Sequence, residues 1–96
     1  MGIVVQHDRS ARKFLVPMSG GKAVLDYEVL GDGDTLDYRS TYVPEPERGN
    51  GVASEITQQA LDYAKRNGKK VKPSCPFVKR FIEENDEYES VVATSA

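Results

Sequence analysis

At 96 residues the chain has room for one domain; a single unit is expected over 1–96 with its core at about 12–92. A hydrophobic share of 39% excludes a disordered chain, and a formal net charge of -2 argues against a nucleic-acid binder, which needs a concentrated basic surface. No run reaches the roughly 18 apolar residues of a membrane span, and no charged-then-apolar leader is visible. The single cysteine, Cys75, forbids an internal disulfide, so a cytoplasmic, reducing compartment is expected, with no membrane and no metal site.

Met1 to Ser10 is polar and weakly patterned, and His7 within it reads as a solvated side chain of a fraying terminus. Lys13-Phe14-Leu15-Val16 is a short strand stopped by Pro17. Ser19-Gly20-Gly21 follows as a turn whose glycines supply positive φ. Leu25, Tyr27 and Val29 alternate with Asp26 and Glu28, the pattern of a half-buried strand. Gly31-Asp32-Gly33-Asp34 closes a hairpin into a third strand through Leu36, Tyr38, Tyr42 and Val43, which Pro44 and Pro46 terminate.

The period then changes. Val52, Ala53, Ile56, Ala60, Tyr63 and Ala64 recur at helical spacing, with Glu55 in the first turn, Lys65 and Arg66 in the last and Gly68 beyond. A helix from about Gly51 to Asn67 is expected. Lys70 to Ser74 is a brief strand, and Pro76 opens a second helix carrying Phe77, Val78, Phe81 and Ile82 to near Asn85. Val91 to Ala96 reads as a tail. The fold class is α+β: an antiparallel β-meander plus one further strand, with two helices, in the order βββ-α-β-α.

Arg48-Gly49-Asn50-Gly51 lies between a strand and a helix. The first amides of a helix lack internal partners and, with the macrodipole, make an anion site. Glycines there let the backbone turn sharply and leave no Cβ between amides and oxygens, and Arg48 can add charge-assisted bonds. The alternative is a tight turn and cap. No Gly-Lys-Ser/Thr follows and the third glycine of a dinucleotide fingerprint is missing, so the anion stays open.

The stretch Arg48-Gly49-Asn50-Gly51-Val52-Ala53 resembles the Gln/Arg-x-x-Gly-x-Gly/Ala loop of the GCN5-related N-acetyltransferases, with Arg48, Gly51 and Ala53 in register. The likeness, from about Phe14 to Val92, is to its small acetyltransferase-like members of about a hundred residues. It extends through Asp34-Thr35-Leu36-Asp37, Val43-Pro44-Glu45, Ala60-Leu61-Asp62-Tyr63-Ala64, Pro73-Ser74-Cys75-Pro76-Phe77-Val78 and Tyr88. The resemblance implies a minimal acetyltransferase fold with acetyl-CoA as cosubstrate and an unidentified amine acceptor. It implies pyrophosphate on the amides of Gly49, Asn50, Gly51, Val52, Ala53 and Ser54 beside Arg48. The pantetheine arm would run along Tyr42 and Val43 where two strands splay apart, near Cys75 and Pro76.

Two departures bear on catalysis. Ser40-Thr41-Tyr42-Val43 stands where such proteins often carry His-Thr-Glu-Val, and Phe77 and Phe81 stand where a tyrosine commonly opens the last helix. Cys75 is therefore the leading catalytic residue: before Pro76 it sits at a helix start, where the helix field favours thiolate and Lys79 and Arg80 follow one turn on. The other reading of Cys75 is a small buried hydrophobe. Lys65, Arg66, Lys69, Lys70 and Lys72 form a basic cluster, either a solvated helix end or a site for the CoA 3′-phosphate or an acidic partner. Glu83-Glu84-Asn85-Asp86-Glu87 reads as acidic surface, and Tyr88 as packing with its phenol bonded locally. Three functions fit: acetyl transfer to an amine, a CoA or acyl-CoA module without turnover, and a phosphate-loop interaction domain unrelated to CoA, with a monomer favoured.

Overall fold

The computed structural model describes residues 3–31 and 33–93. The alternating segments build a five-stranded sheet. β1 (Gln6–Asp8), β2 (Lys13–Met18), β3 (Gly21–Val29) and β4 (Thr35–Tyr42) form the antiparallel meander, and β5 (Lys70–Pro73) lies parallel to β4 at the edge. A parallel neighbour needs a crossover, here α1 (Val52–Arg66), and α2 (Pro76–Glu84) follows β5. Short 3-10 helices span Glu45–Glu47 and Asp86–Val91.

α1 lays Val52, Ile56, Thr57, Ala60, Leu61 and Ala64 on the sheet. They meet Phe14, Val16, Ala23, Leu25, Tyr27, Leu36 and Tyr38, the inward members of the strand alternation. Tyr38 is fully buried, and its hydroxyl donates to the Ala60 carbonyl at 2.6 Å. A small residue at position 60 leaves room for that approach. At the helix end Lys69 N–H bonds the Ala64 carbonyl and Gly68 N–H the Lys65 carbonyl, the paired bonds of a Schellman stop.

The structure departs from the expectation at four places. The terminus around His7 is a strand, not a frayed end: Gln6, His7 and Asp8 pair with Leu15, Phe14 and Lys13. The polar residues carry no strand signal, but the free edge of β2 offers both backbone partners and aromatic surface. Pro17 does not stop β2, because β1 pairs only as far as Leu15 and leaves no ladder on that side for a proline to interrupt. Only Gly21 in that turn has positive φ, at 129°, while Gly20 does not. The chain at Val91 and Val92 is not a tail. Val91 is buried, Val92 bridges Val71 in parallel, and Ala93 N–H bonds the Val71 carbonyl. Two valines supply enough apolar surface to dock beside β5; residues 94–96 lie outside the described chain.

His7 stacks flat on Phe14 with ring centroids 4.1 Å apart, meets Tyr63 edge-on at 4.4 Å, and sets Nε2 2.6 Å from the Tyr27 hydroxyl. Burial, then the Arg9 charge, push its pKa below the usual value, with Asp8 opposing. The unfolded chain therefore binds a proton near pH 6.5 that the folded chain refuses until lower pH. Stability is full above 6.5 and falls as pH drops from there towards the folded pKa. Since His7 is the only histidine, urea midpoints should fall between pH 7.5 and 5.5 in the parent, and fall less in His7→Phe, which keeps the stack.

Candidate functional site

β4 and β5 pair only from Thr35↔Lys70 to Tyr38↔Pro73; β4 then runs on to Tyr42 without a partner on that side. The residues after Pro73 hold this parting in place. Ser74 Oγ donates to Asp37 Oδ1 at 2.5 Å, Cys75 N–H donates to the Tyr38 carbonyl at 2.9 Å, and Pro76 opens α2. Asp37 is a buried carboxylate; the Ser74 hydroxyl and Arg39, 3.8 Å away, are what it has in place of water.

A bulge re-aims the end of β4. Its register against β3 passes from Tyr27↔Tyr38 to Asp26↔Ser40, leaving Arg39 unmatched. Tyr38 and Thr41, three positions apart, thus both turn inward: Tyr38 reaches α1, and Thr41 Oγ1 lies 3.5 Å from Cys75 Sγ.

Beyond Tyr42 the prolines and the 3-10 turn Glu45–Glu47 reverse the chain. Arg48 folds back, donating from Nε to the Val43 carbonyl at 2.9 Å and lying 5.9 Å over the Tyr42 ring. Gly49 and Gly51 have φ of 89° and 79°, in the left-handed region that only glycine enters without strain. The first helical bond of α1 runs from Glu55 N–H to the Gly51 carbonyl. The amides of Val52, Ala53 and Ser54 are thus unspent within the helix, and Gly51 offers no side-chain cap. A Cβ built on Gly49 or Gly51 would meet no atom within 4 Å, so the space over the loop is open.

These parts enclose a cleft of about 480 Å³. One wall is the unpaired end of β4, with Thr41, Tyr42 and Val43; the other is Glu47, Arg48, Gly49 and Gly51 leading into Val52, Ala53 and Ser54, with Phe77 of α2 across from them. The rings of Tyr42 and Phe77 remain 55% and 38% exposed, enough to receive an apolar arm. Among the residues expected from the sequence, Tyr42, Val43, Arg48, Gly49, Gly51, Val52, Ala53 and Ser54 meet here. Asn50 and Pro76 are exposed and off the lining. Cys75 is the first cap of α2, buried at 5% exposure, and meets the cleft through Thr41. Glu47, at the head of the glycine segment, also lines the cleft; the sequence gives no expectation of Thr41 and Phe77 there. Phe77 had a signal, as the second residue of the helix that Cys75 caps, whereas Thr41 arrives through a bulge that nothing in the local sequence announces.

Two phenols stand away from this cleft. Tyr88 is buried and donates to Asp62 Oδ1 at 2.7 Å; burial, then that bond and the adjoining carboxylates, raise its pKa well above the usual range. Asp62 is nine residues along α1 from Ala53, about 14 Å of helix. Tyr38 is raised likewise, chiefly by burial, and is bonded to Ala60. The basic cluster is at the far end of α1, with Lys69 Nζ on the Gly33 carbonyl and Lys70 Nζ on the Ser90 carbonyl. Among the described residues no group of three or more His, Cys, Asp or Glu could hold a metal, and no helix is long and apolar enough to cross a membrane.

The chain is similar to known proteins over nearly all its length. A family model described as GCN5-related N-acetyl-transferase matches residues 13–91. Protein NATD1 of Xenopus tropicalis is 35% identical over 85 residues, covering 86% of this chain and 77% of that protein. Protein NATD1 of Homo sapiens is 35% identical over 85 residues, covering 86% and 74%. In fold, the chain superimposes on the solution NMR structure of a GCN5-like protein from Staphylococcus aureus with a TM-score of 0.73 and 22% identity, covering 99% of this chain and 92% of that one. With a parted β4–β5 pair, a glycine turn feeding a helix, and a family match spanning most of its residues, this chain belongs to the GCN5-related N-acetyltransferase family.

Proposed function

We propose that the cleft binds acetyl-CoA and that the protein transfers its acetyl group to an amine. The observation that carries this reading is the open cradle over Gly49 and Gly51, where three unspent helix amides face space that any side chain at 49 or 51 would enter. The diphosphate is assigned to the amides of residues 49–54, with charge-assisted bonds from the N–H groups of Arg48 that the Val43 carbonyl does not take. The pantetheine arm is assigned to the free edge of β4 at Tyr42 and Val43, where backbone groups without a β5 partner can bond an amide-bearing chain, with Phe77 and the Tyr42 ring against its apolar parts. A free Cys75 suits a reducing, cytoplasmic setting, and a single copy of the chain contains every residue invoked.

Bound acetyl-CoA supplies an activated thioester; the acceptor nitrogen bonds to its carbonyl carbon, the carbon–sulfur bond breaks, and one proton passes from nitrogen to the departing sulfur. Amides along the β4 edge are the groups of this chain positioned to steady the developing oxyanion. Cys75 has two possible uses. As nucleophile it would take the acetyl first and hand it to the amine; otherwise it orients Thr41 through the 3.5 Å contact.

One observation favours a second reading, a CoA module without turnover. Phe77 and Phe81, which stand early in α2 where the family resemblance calls for a tyrosine, have no proton to give to a thiolate. Incubation with acetyl-CoA and a panel of amines, followed by free thiol and by intact mass, separates these. Thiol release with acetylated amine supports transfer. CoA affinity by calorimetry without any release supports the module, and absence of both rejects the CoA assignment. In Cys75→Ser, unchanged turnover is the outcome for direct transfer, while loss of turnover together with a 42 Da adduct (the expected mass gain of one acetyl group, about that size) on the parent is the outcome for an acetyl-cysteine.

A further inference from the structure

A second cleft, also about 480 Å³, opens at the opposite end of α1. It gathers residues from five segments: Arg9 and Arg12 from the β1–β2 loop, Tyr27 from β3, Gly33 from the β3–β4 turn, Tyr63 from the last part of α1, and Lys69 beyond it. In a chain of net charge -2, three cationic side chains on one cleft are a local excess.

The two arginines are uncommitted. Among the described residues neither Arg9 nor Arg12 makes an ion pair. Lys69 bonds the Gly33 carbonyl at 3.0 Å and lies 3.6 Å from Asp34. Asp8 Oδ1 is taken by the Ala11 amide at 3.0 Å. Arg9, Arg12 and Tyr27 line the same cleft, and both guanidinium charges lower the Tyr27 pKa, which burial, Tyr63 and Asp8 raise. His7 holds the same phenol at 2.6 Å from beneath, which fixes its ring.

The backbone adds an independent observation. Arg12 has φ of 57°, the one positive value at a non-glycine among the described residues. Glycine or asparagine would take that corner with less strain. That arginine stands in the lining of the cleft.

We propose that this cleft binds a small phosphate monoester carried on a flat ring. The phosphate sits on Arg9, Arg12 and Lys69, whose forked and point-charge donors suit a dianion, and the ring lies against the half-buried Tyr63. The site is separate from the cleft at the start of α1 and needs nothing from it.

The test is a titration of the whole chain with phenyl phosphate and, in a parallel arm, with adenosine monophosphate, followed by amide chemical shifts. Saturable shifts should centre on residues 9–12, 33, 63 and 69, with benzoate and inorganic phosphate binding at least about tenfold more weakly. Arg12→Gly keeps the backbone corner and should leave the thermal midpoint unchanged or raised, while phenyl phosphate affinity falls about tenfold. Arg9→Gln should do likewise. Tighter binding of one arm identifies the ring, aryl or nucleoside. The proposal is overturned by shifts that do not saturate, by shifts centred on Gly49 to Ser54, by benzoate equalling phenyl phosphate, or by full affinity in both arginine variants.

Discussion

A chain shortened to end at Asn85 is expected to lose cooperative folding. The deleted part contains Tyr88 and Val91, which are 2% and 4% exposed, and the Val92 bridge to Val71. The 3-10 helix Asp86–Val91 packs on both α1 and α2, so its removal uncovers surface on both and takes the Tyr88 ring from Phe81, 6.1 Å away between centroids. Losing a buried aromatic and a buried valine costs on the order of 5 kcal/mol. A domain of this size has a total of about 5–15 kcal/mol to lose it from. Circular dichroism during a urea titration should show no cooperative transition for the shortened chain, and a clear one for Tyr88→Phe, which gives up only the Asp62 bond at a cost of about 1–2 kcal/mol. A sharp, parent-like transition in the shortened chain would mean that these contacts are dispensable.

Gly51→Ala is expected to separate folding from cofactor binding. At φ of 79° an alanine is strained by roughly 1–2 kcal/mol, but its Cβ meets no protein atom within 4 Å, so the fold survives. The same methyl enters the open space over the loop, to which the proposed function assigns the phosphate oxygens on the amides of Val52 to Ser54. CoA affinity, measured by calorimetry, should fall at least about tenfold, equal to 1.4 kcal/mol. Gly33→Ala is the matched control: φ is again 79°, the space is again open, and the site is far from this cleft. Both variants should lose similar thermal stability, and only Gly51→Ala should lose CoA. Equal CoA affinity in the two would remove the phosphate from this loop.

Much of this architecture is written locally. Leu25, Tyr27 and Val29 alternate because a strand with one covered face must, and Val52, Ile56, Ala60 and Ala64 recur because a helix packed on a sheet must. Pro76 after a cap and Gly68 after a helix mark ends through their own backbone limits. The glycine turn before α1 is visible for the same reason. His7 and the Val91–Val92 segment were misjudged because their structure comes from partners distant in sequence. His7 is ordered by Phe14, Tyr27 and Tyr63, and Val92 by Val71. No window of neighbouring residues contains that information.

The sequence by itself determined the order of the elements between Lys13 and Asn85, their apolar periodicity and the glycine corner at the start of α1, since these depend on residue type and short spacing; the family was legible as a resemblance of whole motifs. Tertiary structure alone decided that the β4–β5 pairing ends at Tyr38↔Pro73, that a bulge at Arg39 brings Thr41 to Cys75, and that Arg9, Arg12 and Lys69 line one cleft. Those arrangements arise from register and from contacts closing loops of tens of residues, and a register is chosen by the burial of whole faces at once rather than by any one side chain.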